Sequence, residues 1–280
     1  MLTSDGVAGP LLDTSVTVEA TISERLLEAR TEALALPAFP GQLPSDTQTA
    51  YTIQYRSISS WPDVVSGWKV GGISPVFREQ FLANRLAGPI FKSQTINALN
   101  SEAVNATVFE DGFAAVEAEF VIRTAVPLSP NEPAKTIEEL KNCVASIHMG
   151  VEIASSPLAD INELGPGAII ADFGNNAGLI VGPQIVDWCE RASDDIDISV
   201  SINGVEAGAT RTSIEDDAFA AFEFLSALSS ARGIELPAGT LVTCGALSGI
   251  HDVEIGDQAT VMFKGIGTLD VKVAKRESAE

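Results

Sequence analysis

Three observations predict an α+β fold. Helical periodicity dominates the first sixty residues, short apolar runs bounded by Gly and Pro take over from about residue 68, and two further helical patterns fall near 137–146 and 215–232. In SVTVEATISERLLEARTEALAL, which starts at Ser15, the residues Ile22, Leu26, Ala29, Ala33 and Leu36 recur every three or four positions and form one helix face. Pro37, Pro40, Gly41 and Pro44 make a loop. DTQTAYTIQYRSISSW then sets Ala50, Ile53, Gln54, Ile58 and Trp61 along one side of a second helix. Residues 1–14 read as a loose lead and 276–280 as a frayed tail.

Later elements carry their own signals. Thr136 and Glu139 have capping-box spacing, which starts a helix expected to run to about Ser146 and pass into a strand, IHMGVEIA. DISVSINGVEAG reads as a hairpin around Asn203-Gly204. SIEDDAFAAFEFLSALSSARG is a clear helix with Gly233 placed to end it. VEIGDQATVMFKGIGTLDVKVA alternates as two strands joined by a Gly turn. The expected division is a helical segment over 1–65 and a strand-rich domain over 66–280.

Composition narrows the function. The 280 residues are 45% hydrophobic, enough for a substantial core, and the net charge of −21 argues against a nucleic-acid or anionic-membrane surface. Cys143, Cys189 and Cys244 show neither a disulfide framework nor a CxxC site, read as buried small hydrophobes, and suit a reducing compartment. No signal peptide and no membrane span are visible, so a cytoplasmic location is expected. The glycines form no GxGxxG before a helix, so nucleotide binding is unsupported.

FAAVEAEFVIRT reads as a buried strand, yet it carries Glu117 and Glu119. Residues two apart point to one face, so two carboxylates lie side by side in an apolar setting. Glu152 lies in a second apolar strand, HMGVEIASS. Three such glutamates make a site for a hard cation, Mg²⁺ or Mn²⁺, which would offset their repulsion. The alternative is that one or more of them faces solvent.

DTQTAYTIQ, GWKVGGISP, VEAEFVI, VEIASSPL, IIADFGNNAGLIVG and LVTCGALSGIHDVEIGDQATVMFKGIGTLDV occur in that order. The set resembles the 2-keto-4-pentenoate hydratase and 4-oxalocrotonate decarboxylase branch of the fumarylacetoacetate hydrolase superfamily, over about residues 20–274. The resemblance implies a mixed β-sandwich or roll with peripheral helices. It implies a divalent metal held by Glu117, Glu119 and Glu152, with Lys69 of GWKVG as the active-site lysine. Burial and the cation would lower the pKa of that lysine. It further implies a small 2-oxo acid substrate handled through an enolate-like state, and a homo-oligomer, with a partner enzyme of the same pathway as a further option. Asp172, Asn175 and Asn176 match a segment near the family's active site, although an Asx-rich turn explains each equally well.

Two departures bear on the reaction. Hydratases of the branch carry an acid in a stretch resembling PDYG, where this chain has AGPIFKSQT, with Ile90 and Phe91 and then Lys92, a substitute proton carrier. Ala246 replaces a hydroxyl residue, leaving Ser248 as the substitute substrate contact. His148 reads as a core histidine or as a neighbour of Glu152, and His251 has no assignable partner. The leading expectation is a metal-dependent lyase of aromatic catabolism acting on a short 2-oxo or 2-hydroxydienoic acid, a 2-keto-4-pentenoate hydratase-like enzyme first, with a 4-oxalocrotonate-type decarboxylase as the alternative. An acylpyruvate-type carbon–carbon hydrolase is disfavoured because no histidine precedes residue 148. A weakly catalytic homologue serving as a structural partner is the remaining class.

Overall fold

A computed structural model of the chain describes residues 17–100 and 103–278. The expected lead over residues 1–14 lies outside the described residues, as do the last two residues of the expected tail.

Two helices open the chain, α1 (Val18–Glu32) and α2 (Thr47–Ser60). Asp46 caps α2 by accepting from Thr49 N at 2.8 Å. Then come β1 (Val65–Gly72), α3 (Pro75–Phe81), β2 (Arg85–Phe91), β3 (Thr95–Asn97), β4 (Ala103–Val108) and β5 (Phe113–Thr124). The central region holds α4 (Ile137–Lys141), β6 (Val144–Ser156), α5 (Ile161–Leu164), α6 (Pro166–Ala171) and β7 (Asn176–Gln184). It is followed by β8 (Ile196–Ile202), β9 (Val205–Thr212) and α7 (Ile214–Arg232). The chain closes with β10 (Leu241–Thr243), β11 (His251–Asp252), β12 (Gln258–Phe263) and β13 (Gly267–Lys275).

The strands form two mixed sheets, so the α+β expectation holds. The larger runs β2-β1-β10-β5-β6-β7-β3, with β11 also on β5; the smaller runs β4-β13-β12-β8-β9. Alternation along β5 assigns its two faces. Val116, Ala118, Phe120 and Ile122 pack in the main core with Val200, Val261 and Phe263 of the smaller sheet. The larger sheet curls until β2 approaches β7. Inside the curl, Ile90, Val121, Leu179, Val181 and Leu241 form a separate apolar plug.

Most sequence signals land where expected. Asn203 and Gly204 both take positive φ, 53° and 77°, between paired β8 and β9. Ser213 caps the start of α7 and Gly233, left-handed, ends it. The helix at Thr136 forms its capping box but stops at Lys141, short of the expected Ser146, because the chain from Val144 pairs with β5. Helices α3, α5 and α6 were not expected; at four to seven residues each is too short to show a 3.6-residue period. Cys143 and Cys244 are buried as expected, but Cys189 is exposed. No described helix is long and apolar enough to cross a membrane.

Candidate metal centre

β5 and β6 are antiparallel neighbours whose register sets Glu117 opposite Glu152 and Glu119 opposite Gly150. The pleat turns all three carboxylates to one face, the inside of the curl. Every one is buried, and one oxygen of each lies within 4.8 Å of the others. Glu119 Oε2 accepts from Gly245 N at 3.1 Å, and Glu152 Oε1 accepts from Asn176 Nδ2 at 2.9 Å. Glu119 Oε1 and Glu152 Oε2 are buried without any hydrogen-bond partner. Buried acceptors left so are costly unless a ligand satisfies them. An all-carboxylate oxygen set suits a hard divalent cation, so these residues fit Mg²⁺ or Mn²⁺.

Lys69 stands on β1 with its Nζ 3.5 Å from Glu152 Oε1, and it is buried too. Burial pulls its pKa down, but Glu152, Glu117 and Glu119 outweigh burial and hold the ammonium above its ordinary value. The lowered value expected from sequence belongs to the cation-loaded site; in the metal-free chain the three anions outweigh burial. Burial pushes Glu117 up to about 7 against the pull of Lys69. Burial and then the Glu152 carboxylate push Glu119 well above the usual range.

Lys69 and Glu117 line a cavity of about 420 Å³ with Ile73, Phe77, Leu86, Ile169, Asn175 and Ile250 among its walls. Both are almost fully buried, whereas Ile250 is 52% exposed, so the polar pair forms the floor and the apolar residues lead to the mouth. Lys69 is the one cationic side chain on that lining, among the described residues.

Residues 91–274 match the family model described as fumarylacetoacetate (FAA) hydrolase C-terminal. The chain belongs to the fumarylacetoacetate hydrolase family. Among solved structures, this FAA hydrolase-family chain is similar to 4-oxalocrotonate decarboxylase from Pseudomonas putida G7, complexed with magnesium and adipate, at TM-score 0.73 and 18% identity, over 91% of this chain and 97% of that one. The same enzyme complexed with calcium and acetate matches equally well. Fumarylpyruvate hydrolase from Pseudomonas aeruginosa, in complex with Mn²⁺ and pyruvate, is similar at TM-score 0.55 and 15% identity, over 75% and 89%. 2-Hydroxyhepta-2,4-diene-1,7-dioate isomerase from Mycobacterium marinum follows at TM-score 0.52 and 20% identity, over 77% of each chain. No curated protein matches the sequence.

The other expected site residues of this FAA hydrolase-family chain scatter in role. Asn175 lines the cavity, with its Oδ1 buried and unpartnered. Asn176 serves Glu152. Asp172, expected at the substrate, is instead occupied: its carboxylate takes Arg30 Nε at 2.5 Å, Arg30 Nη2 at 2.9 Å and Ser156 Oγ at 2.6 Å. Ser248 is paired with His251, Oγ to Nε2 at 3.0 Å, and is not on the cavity lining. Lys92 is exposed, outside that lining and beside Asp63, so the structure places Lys69 rather than Lys92 at the carboxylates. His148 sits between Ser146 Oγ and Gly182 O, at 2.9 Å from each, a local anchor rather than a partner of Glu152. Sequence reasoning missed Arg30 and the Gly245 amide. Arg30 carried no signal, being one arginine on an amphipathic helix.

Proposed function

We propose that the chain is a divalent-metal-dependent lyase acting on a short 2-oxo or 2-hydroxydienoic acid, and that its geometry favours decarboxylation over hydration. One observation carries the reading: three buried carboxylates, two of their oxygens unpartnered, with Lys69 Nζ 3.5 Å from Glu152, at the floor of a 420 Å³ cavity. A divalent cation bound there would supply Lewis-acid stabilisation of negative charge growing on the C2 oxygen of a 2-oxo acid.

The remaining work falls to side chains. Glu117, Glu119 and Glu152 would hold the cation, while Asn176 and the Gly245 amide fix how Glu152 and Glu119 present their oxygens. Lys69 holds a proton at Nζ beside the acid end of the substrate, placed to hand it to a substrate carbon as charge collects there. Ile73, Leu86 and Ile169 shield the reacting chain from water.

Ile90, at the position where hydratases of the branch carry their acid, is fully buried in the apolar plug. No second acid is thereby offered to orient a water. Since Lys69 is the one cation on the lining, a second carboxylate at the far end of the substrate meets no counter-charge, and its departure as CO₂ relieves that cost. Hydration is the second reading, favoured by the unpartnered Asn175 Oδ1 beside the cavity, which offers an acceptor to a water. The purified chain with Mg²⁺ should be mixed with 2-oxo-3-hexenedioate and, separately, with 2-hydroxypenta-2,4-dienoate, following ultraviolet absorbance and evolved CO₂. Release of CO₂ from the first is expected. Consumption of the second alone selects hydration, and consumption of neither by metal-loaded protein rejects the lyase reading.

A further inference from the structure

Arg30 lies on α1, far along the chain from every residue of the centre, yet it is only 2% exposed. Its guanidinium forms a two-point pair with the Asp172 carboxylate. It also donates to Asp172 O at 3.1 Å, to Asn176 O at 3.0 Å and to Ser155 O at 3.4 Å. Its flat faces meet the rings of Phe173, 5.1 Å from the centroid, and Phe109, 5.6 Å.

The segment that Arg30 grips is unusual. Phe173, Gly174 and Asn175 are three consecutive residues with positive φ, 53°, 70° and 64°. Two of them are not glycine, and such conformations persist only where surroundings enforce them. Arg30 bonds both ends of this turn, Asp172 before it and Asn176 after it. The turn does three things for the centre. It puts Asn175 on the cavity lining, it aims Asn176 Nδ2 at Glu152, and it packs Gly174 so closely on Lys69 that an added Cβ would lie 3.0 Å from Lys69 Cδ.

We propose that Arg30 is a positioning residue for the metal centre: its guanidinium clamps the left-handed turn 173–175, so that Asn176 and the Lys69 wall are set before any cation arrives. The proposal rests on the metal-site reading above, which fails separately if the wild-type chain binds no divalent cation.

Arg30→Lys keeps a cation opposite Asp172 and so preserves the buried charge balance. An ammonium has no planar fork, however, and cannot span Asp172 and Asn176 O together. Calorimetric titration of chelator-treated Arg30→Lys with Mn²⁺ should show affinity weakened by roughly ten- to a hundredfold, the usual effect of losing an outer partner of a ligand. Wild-type affinity in folded Arg30→Lys overturns the proposal. Amide exchange in the wild-type chain gives a check that needs no variant. The Asn175 and Asn176 amides donate to Asp172 O and Phe173 O within the turn. They should be protected equally with and without Mn²⁺. Fast exchange without the ion and slow exchange with it would mean that the cation, and not Arg30, sets the turn.

Discussion

At Lys69 of the metal-free chain, burial and charge oppose each other and charge wins, so the side chain is held as an ammonium. Lys69→Ala should therefore lower turnover about 10²–10⁴-fold, the range for a positioned proton carrier. Mn²⁺ affinity, measured by titration, should hold or improve, since a neighbouring positive charge is gone. Lys69→Arg should not restore turnover, because a guanidinium keeps its proton. Glu117 gives a pH signature. Its folded pKa of about 7 stands above the ordinary value of 4.5, so between those values the folded, metal-stripped chain holds a proton that the unfolded chain releases. Stability from this group is present below about 4.5 and is lost as pH rises through about 7. Thermal melts in chelator should fall across that window. Metal binding needs the ionised carboxylate, so the stabilisation added by Mg²⁺ should grow across the same window.

Among the elements, β5 shows what a sequence can and cannot announce. Glu117 and Glu119 two apart in a strand former predict one face with two carboxylates, and they are found there. The pairing of Glu117 with Glu152 is a matter of strand register between segments joined by a long connection, and no local pattern encodes it. Helix α7 and the Asn203-Gly204 hairpin were legible because caps and turn residues act over three or four positions. Arg30 was illegible for the opposite reason: its partners Asp172 and Asn176 become neighbours only through the fold. The contact of β2 with the 173–175 turn is equally non-local and equally testable. A Cβ at Gly88 would lie 2.2 Å from Phe173 O, so Gly88→Ala must push the turn away. A loss of about 1–3 kcal/mol is expected in chemical denaturation, with weakened Mn²⁺ binding beside it. On α7, where the cap touches nothing in the cavity, Ser213→Ala should cost about 1 kcal/mol and leave Mn²⁺ binding alone.

For the molecule as a whole, two sheets make one core between them, and the curl of the larger one makes a second, smaller interior that is apolar at the plug and anionic at the triad. The carboxylates repel until a cation joins them, so added Mg²⁺ should raise the melting temperature in step with its concentration over Kd. Glu119→Gln should blunt that rise. Of the three ligating candidates only Glu117 faces the cavity; Glu119 and Glu152 stand behind it, fully buried. Along this cavity arrivals and departures form a queue: an ion that reaches the centre past Glu117 precedes the organic acid, and it is held while that acid fills the cavity. A chelator should accordingly strip the ion quickly from resting protein and slowly from protein saturated with an unreactive 2-oxo acid.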